Sequence, residues 1–326
     1  MFKSKLSKFA AAVAVTLMGV VAPQLAQASD YPNKPIRVVV PFPPGVTTDI
    51  VARTLAEALH ARLGQPVIVE NKAGADGSIG VVDVMRSKPD GYSLMVVTNG
   101  PMSVVPHLRK PAPYDVVTDF TPIADIGRPT FAVFVSSELP VNTLPEFVQY
   151  VKDNPGKLNY ASGNLTGQLS FAYITMTEGL DMTHIPYKGE TNAMTDILGG
   201  HVEAIVATTG TGIPLVNEGR LKMLAVISGE RSAELPDVPL ISEVGFPEFP
   251  IQSWYGLFGP AGMDPEVVKT LNEATTDALK DPKVIERLHS IRAEITPSTP
   301  EGLAAFLRQQ LDNHGKLIRD AGITPQ

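Results

Sequence analysis

The stretch from Ile36 to Gly64, IRVVVPFPPGVTTDIVARTLAEALHARLG, decides the fold class. Its β-branched run at 36–40 reads as a buried strand. Val51, Leu55, Ala58, Leu59 and the pair Arg62/Leu63 then recur every three or four residues, which predicts an amphipathic helix from Thr48. Gly64 supplies the left-handed stop. Between strand and helix lies PFPPGVTTD, residues 41–49. Thr47, Thr48 and Asp49 stand where a side chain can cap the first N–H groups of a helix or leave them open to an anion.

The same alternation continues along the chain. Strand-like runs are expected at 36–40, 66–70, 93–98, 131–136, 158–161, 183–186, 202–207, 221–227 and 254–259. Helical patterns are expected at 48–63, 144–153, 168–179, 192–198, 265–280, 282–291 and 300–321. Short apolar strands separated by amphipathic helices indicate α/β layers with parallel sheets. A domain boundary is expected near Gly127-Arg128-Pro129 and a return crossing near the proline-rich residues 246–250. The expected organisation is therefore residues 29–128 with 250–326 in one α/β domain and 129–249 in the other. Two lobes joined by two crossings make a hinged cleft, the usual place for a small ligand.

Residues 1–28 read as an export signal, with Lys3, Lys5 and Lys8 ahead of an apolar run and Ala26-Gln27-Ala28 as the cleavage signature. Cleavage after Ala28 removes three lysines and no acids, which leaves 24 basic against 34 acidic residues and a net charge of −10 in place of −7. That balance sets nucleic acid aside as a partner. There is no cysteine, so disulfides and thiolate metal sites are excluded.

Four loops beyond predicted strands combine small hydroxyl or amide residues with glycine: residues 43–49, 98–100, 161–170 and 186–192. In open α/β sheets ligands bind beyond such strand ends, where helix N-termini aim their N–H groups. Ordinary capping explains each loop taken alone; four together suit one anion held between facing helix starts. Asn99 and Thr208 fall at these strand ends, while Phe42, Tyr187 and Trp254 either wall a pocket or fill the core. No nucleophile elbow, phosphate loop, zinc-protease helix or dinucleotide fingerprint is present. His60, His107, His184, His201, His289 and His314 are dispersed, so no metal or other cofactor is expected.

The blocks YPNKPIRVVVPFPPG, ARTLAEALHARLGQPVIVENKAGADGSIG, KPDGYSLMV, FTPIADIG, IPYKG followed by DILGGHVEA, GRLKMLAV and GLFGPAG span nearly the whole mature chain. In these the sequence resembles the tripartite tricarboxylate transporter receptors, the TctC or Bug family of periplasmic solute-binding proteins. The resemblance implies a type II periplasmic-binding-protein fold, a cleft that closes on a small carboxylate, and delivery to membrane permease subunits in place of catalysis. It places carboxylate contacts at Pro44, Gly45, Thr47, Thr48 and Asp49 in the first loop and at Pro186, Tyr187, Lys188 and Gly189 in the second. Ser162, Gly163, Thr166 and Gln168 match a further helix start, and Asp196 matches an acidic position before LGGHV.

The sequence departs from the family pattern at Val46, where consecutive glycines are common, at Gln168, where histidine is common nearby, and at Asn192, where proline is. These positions bear on which acid fits. A monomer is expected, since a hinged receptor needs free lobes. Two other readings stay open from the residues: a receptor that signals to a sensor, and an exported enzyme with Asp49 or Asp196 as a base.

Overall fold

The computed structural model describes residues 31–228, 235–246 and 251–325. The expected export signal lies outside them, and so does most of the proline-rich segment at 246–250. Among the described residues no helix is long and apolar enough to cross a membrane.

Strand β1 (Ile36–Val40) lies between β2 (Val67–Asn71) and β3 (Ser93–Thr98), parallel to both. Helix α1 (Thr47–Leu63) joins β1 to β2, buries Val51, Ala52, Leu55, Ala58 and Leu59, and stops at Gly64, whose N–H returns to the His60 carbonyl at φ 68°. Helix α2 (Ser78–Met85) makes the next crossover. After β3 the chain forms a π-helical turn at Gly100–Val104 and the short α3 (Val105–Leu108). It then enters β4 (Phe120–Pro129).

One residue, Thr130, separates β4 from β5 (Phe131–Ser136), which belongs to a second sheet. There α4 (Leu144–Asp153), β6 (Leu158–Ser162), α5 (Leu165–Glu178), β7 (Met182–Pro186), α6 (Glu190–Leu198), β8 (Ala204–Thr208), α7 (Thr209–Asn217) and β9 (Leu221–Ile227) follow. Strand β10 (Tyr255–Pro260) brings the chain back to the first sheet. Helices α8 (Pro265–Ala278) and α9 (Pro282–Ser290), strand β11 (Ala293–Ile295) and α10 (Pro300–Asp320) complete that lobe.

The sheet orders are β11-β4-β10-β3-β1-β2 and β7-β6-β8-β5-β9. Each lobe thus has a parallel trio, β2-β1-β3 or β7-β6-β8, flanked by a strand of opposite direction that has just crossed over. The sheets are therefore mixed, in contrast to the parallel sheets expected from the apolar runs. An apolar run reports burial on both faces and carries no information on strand direction.

Period-two alternation builds the second lobe. Phe131, Val133 and Val135 point into a cluster with Phe147, Tyr160 and Phe171, and Ala132 and Phe134 point into another with Ala161, Met194 and Ile197. Tyr160 stacks on Phe171 at 4.3 Å between ring centroids. In the first lobe Trp254 is fully buried with Val97, Phe258 and Leu307, so it fills the core and does not wall a pocket. Leu165, at the start of α5, packs on this first-lobe cluster and brings the lobes together at one end.

Candidate functional site

The parallel trios put the loops after β1, β2, β3, β6, β7 and β8 at strand C-terminal ends, and most of the helices that follow them, α2 at Gly77 included, start without a side-chain cap. Helices α4, α8, α9 and α10 begin under side-chain caps: Thr143 accepts from Glu146 N, Asp264 from Glu266 N, Asp281 from Lys283 N and Thr299 from Gly302 N. Helices α1, α6 and α7, which follow β1, β7 and β8, begin at Val46, Gly189 and Thr208 with no side-chain cap. Their positive dipole ends carry no side-chain cap, although at α7 the first N–H, that of Thr209, already donates to the Thr130 carbonyl at 2.9 Å. Helix α5 is the exception among the strand-end helices, with Asn164 accepting from Gly167 N.

In the first loop Pro44, Gly45 and Val46 are exposed, Phe42 and Thr47 are half-buried, and Thr48 and Asp49 are buried. Gly45 holds φ 84°, which glycine adopts without strain. Val46 is extended at φ −75°, ψ 163°, and 40% exposed, so its side chain leaves the backbone of α1 uncovered. Asp49 is drawn inward: its carboxylate accepts from Gly45 N and Arg53 Nε at 2.9 Å each and from Asn71 Nδ2 at 2.9 Å. Burial alone would raise this carboxyl, but the bonds from Arg53, Gly45 and Asn71 outweigh it and hold it below its ordinary range. Asp49 therefore shapes the loop, with its oxygens already engaged. Asn71 Nδ2 also reaches the Phe42 carbonyl at 3.1 Å and ties the loop to β2.

Asn99 and Thr166 meet each other across the lobes. Asn99 Nδ2 donates to Thr166 Oγ1 at 2.9 Å and lies 3.4 Å from His314 Nε2, while Asn99 Oδ1 accepts from Ser253 Oγ at 2.9 Å. His314 is fully buried, with Nδ1 2.7 Å from the Gln310 carbonyl. Desolvation is the main cause that pushes its imidazole down to about 4, and the neighbouring His107 acts the same way. These groups join the lobes where β3 ends and α5 begins.

In the second lobe Ser162 Oγ lies 2.8 Å from His184 Nε2, and Tyr187 donates from its phenol to Asp196 Oδ2 at 2.7 Å. Burial and then Asp196 push the Tyr187 phenol up to about 12. Asp196 is thus occupied within its own helix and loop. Lys188 is exposed, and Gly189 and Gln168 are half-buried. Gly163 is required by packing: a Cβ there would lie 2.5 Å from Glu190 Cα and 2.6 Å from the Gly189 carbonyl carbon. Thr208 turns its hydroxyl to Glu190 Oε2 at 2.6 Å and so leaves α7 uncapped.

Glu190 is the residue that sequence reasoning passed over. Its Oε1 accepts from Asn164 Nδ2 at 2.7 Å and Thr208 N at 3.1 Å, and its Oε2 from Thr208 Oγ1 and from Thr211 Oγ1 at 2.8 Å. The available signal was an acid directly after Gly189 at a helix start, and that pattern alone reads as a charge placed to suit the helix dipole.

Comparison with known proteins places this architecture. BugT of Bordetella pertussis is 33% identical over 311 residues, covering 94% of this chain and 95% of that protein. The solved structure of the periplasmic binding protein BugD superposes with a TM-score of 0.82 at 35% identity, covering 91% of this chain and 100% of that one. An R. palustris protein solved with adipate superposes with a TM-score of 0.83 at 30% identity, again covering 91% and 100%. The fold is the two-lobed one of periplasmic binding proteins, with the cleft between two α/β lobes. The family model described as tripartite tricarboxylate transporter family receptor matches residues 51–323, and the chain belongs to that family.

Proposed function

We propose that the protein captures a small carboxylate anion between its lobes and passes it to the permease subunits of a tripartite tricarboxylate transporter. The observation that carries this reading is the pattern of caps: α1 and α6, which start at the cleft ends of β1 and β7, lack side-chain caps, while α4, α8, α9 and α10 have them; α7 lacks one as well, but Glu190 and the Thr130 carbonyl already take donors at its start. Each open helix start favours an anion by about 0.3–1 kcal/mol at an exposed site and more where partly buried. Several acting together hold a carboxylate without an arginine, and ordered water extends their reach at little cost.

On this reading Pro44, Gly45, Val46, Thr47 and Thr48 form one side of the clamp, and Gly163, Gln168, Lys188 and Gly189 the other, with Thr208 behind it, since its N–H and hydroxyl are taken by Glu190. Asp49, Asn99, Thr166, Asp196 and Tyr187 support it, since each is engaged with protein partners. Asp49 and Asp196 then have no role as bases, and the protein performs no chemistry on its ligand. The receptor works as a periplasmic monomer after cleavage behind Ala28. Titration of the mature protein with mono- and dicarboxylates, followed by calorimetry, tests the reading. Binding of at least one carboxylate is expected; a protein that binds neutral sugars and no carboxylate sinks it.

A further inference from the structure

We propose that Glu190 is the specificity-determining residue of the second lobe: its carboxylate fills the anion seat there, so the cleft accepts monocarboxylates with a neutral or donor-bearing far end and rejects dicarboxylates. The inference rests on the carboxylate-receptor reading and names the ligand class of the same cleft.

The seat is built from three loops that meet only in the fold. Asn164 precedes α5, Glu190 opens α6, and Thr208 and Thr211 lie at the start of α7. They converge because β7, β6 and β8 are neighbours in the sheet and end together. An ionised carboxylate offers about four lone-pair positions. Glu190 uses two on each oxygen, taking one amide N–H of Asn164, the backbone N–H and hydroxyl of Thr208, and the hydroxyl of Thr211. These are donors that a ligand carboxylate would seek beside the start of α7, and they are already taken by a side chain of the same charge.

The group also faces the other lobe. Glu190 is half-buried, so one side of it stays open. Its charge adds to burial in raising the phenol of Tyr255, which begins β10 in the first sheet opposite Thr98. The start of α7 lies against the first lobe as well, since a Cβ on Gly210 would stand 3.1 Å from the Ile291 carbonyl oxygen. A monoacid anchored in the first loop directs its far end toward this filled seat. A second carboxylate arriving there meets a like charge, with the Asn164, Thr208 and Thr211 donors already engaged.

The test pairs acids that share a skeleton and differ by one carboxylate: butyrate with succinate, hexanoate with adipate, and benzoate with terephthalate. Calorimetric titration of the full mature chain is expected to give at least one monoacid that binds ten times or more tightly than its diacid partner. In Glu190→Gln, of the same shape but uncharged, that ratio falls at least tenfold, and Glu190→Asp, which keeps the charge, retains most of it. Raising the salt from roughly 20 mM to 500 mM narrows the wild-type ratio, because part of it is repulsion between charges. Cooperative melting of each variant confirms that it is folded. A wild-type protein that binds a diacid as well as its monoacid partner overturns the proposal, and so does a ratio unchanged in folded Glu190→Gln, which makes the residue a brace between loops. Diacid binding of that kind leaves the carboxylate-receptor reading standing; failure of every acid to bind removes both.

Discussion

Asp49 in the first lobe and Glu190 in the second both stand in the first turn of a helix that follows a parallel strand, yet their carboxylates point to different ends. Asp49 turns back into its own loop and is buried against Gly45, Arg53 and Asn71, so the N–H groups of α1 stay open. Glu190 stays half-buried and reaches out to two other loops, where it consumes the donors that gather at α7. On the proposed reading one acid prepares an anion site and the other fills one. A helix-start acid therefore has no fixed meaning for binding; its neighbours in the sheet decide it.

The lobes are joined through Asn99, Thr166, Ser253 and His314, and this network gives the largest expected effect. His314 ionises near 6.5 when unfolded and near 4 in the fold, because burial penalises its charged form. The unfolded chain then binds more protons between those values, so stability falls as pH drops from about 6.5 to about 4 and is level above that window. At about 1.4 kcal/mol per tenfold change in proton affinity, the loss is about 3 kcal/mol. Urea midpoints from pH 7.5 down to 4 measure it. A flat profile, or an undiminished slope in His314→Gln, means that the network does not hold the neutral imidazole.

Next in size is Gly163→Ala, which acts on the second lobe alone. The added Cβ has backbone on two sides, at Glu190 and Gly189, and neither can move as a flexible side chain would. Overpacking of this kind costs about 2 kcal/mol. It also pushes Glu190 off Asn164 and Thr208. Reduced thermal stability is expected together with a weakened preference for monoacids over diacids, and unchanged melting would show that the loop after β6 has room to relax.

These contrasts trace which parts of the fold were legible in the sequence. Strand β1, helix α1 and the stop at Gly64 read directly, because valine runs, three-and-four spacing and a left-handed glycine are local signals. Strand β4 did not, since Pro122, Asp125, Arg128 and Pro129 interrupt its apolar residues; Asp125 is tolerated because Arg128 bonds to it at 2.6 Å. Helix α7 was hidden by Gly210, Gly212 and Pro214, which weaken helix propensity and leave packing on β8 and β9 to supply the stability. At the site, the loops were legible as glycine- and hydroxyl-rich strand ends. The role of Glu190 was not, because its partners lie 18 to 26 positions away and meet it only through the order of β7, β6 and β8.

The smallest expected effect separates the two acids most cleanly. Asp49→Asn keeps the shape and one acceptor oxygen but removes the charge that draws in Gly45 N–H and Arg53. The carboxylate is 4% exposed whereas Arg53 is 52% exposed, so water recovers much of what the arginine loses. The net cost is about 1 kcal/mol, at the low end for a bond to a charged group once screening is allowed for. The acid-side profile changes too. The folded Asp49 carboxyl ionises below 3.8, so it contributes stability above the unfolded value that is lost as pH falls through the folded one, and Asn cannot contribute it. Denaturation at pH 7 and pH 3 measures both effects. The ratio of monoacid to diacid affinity should stay where it is in the wild type, because Asp49 shapes the loop from within and touches no seat for a second carboxylate. A shift in that ratio as large as the one expected for Glu190→Gln would mean that both acids face the ligand and that the cleft reads total charge, with no division of work between its lobes.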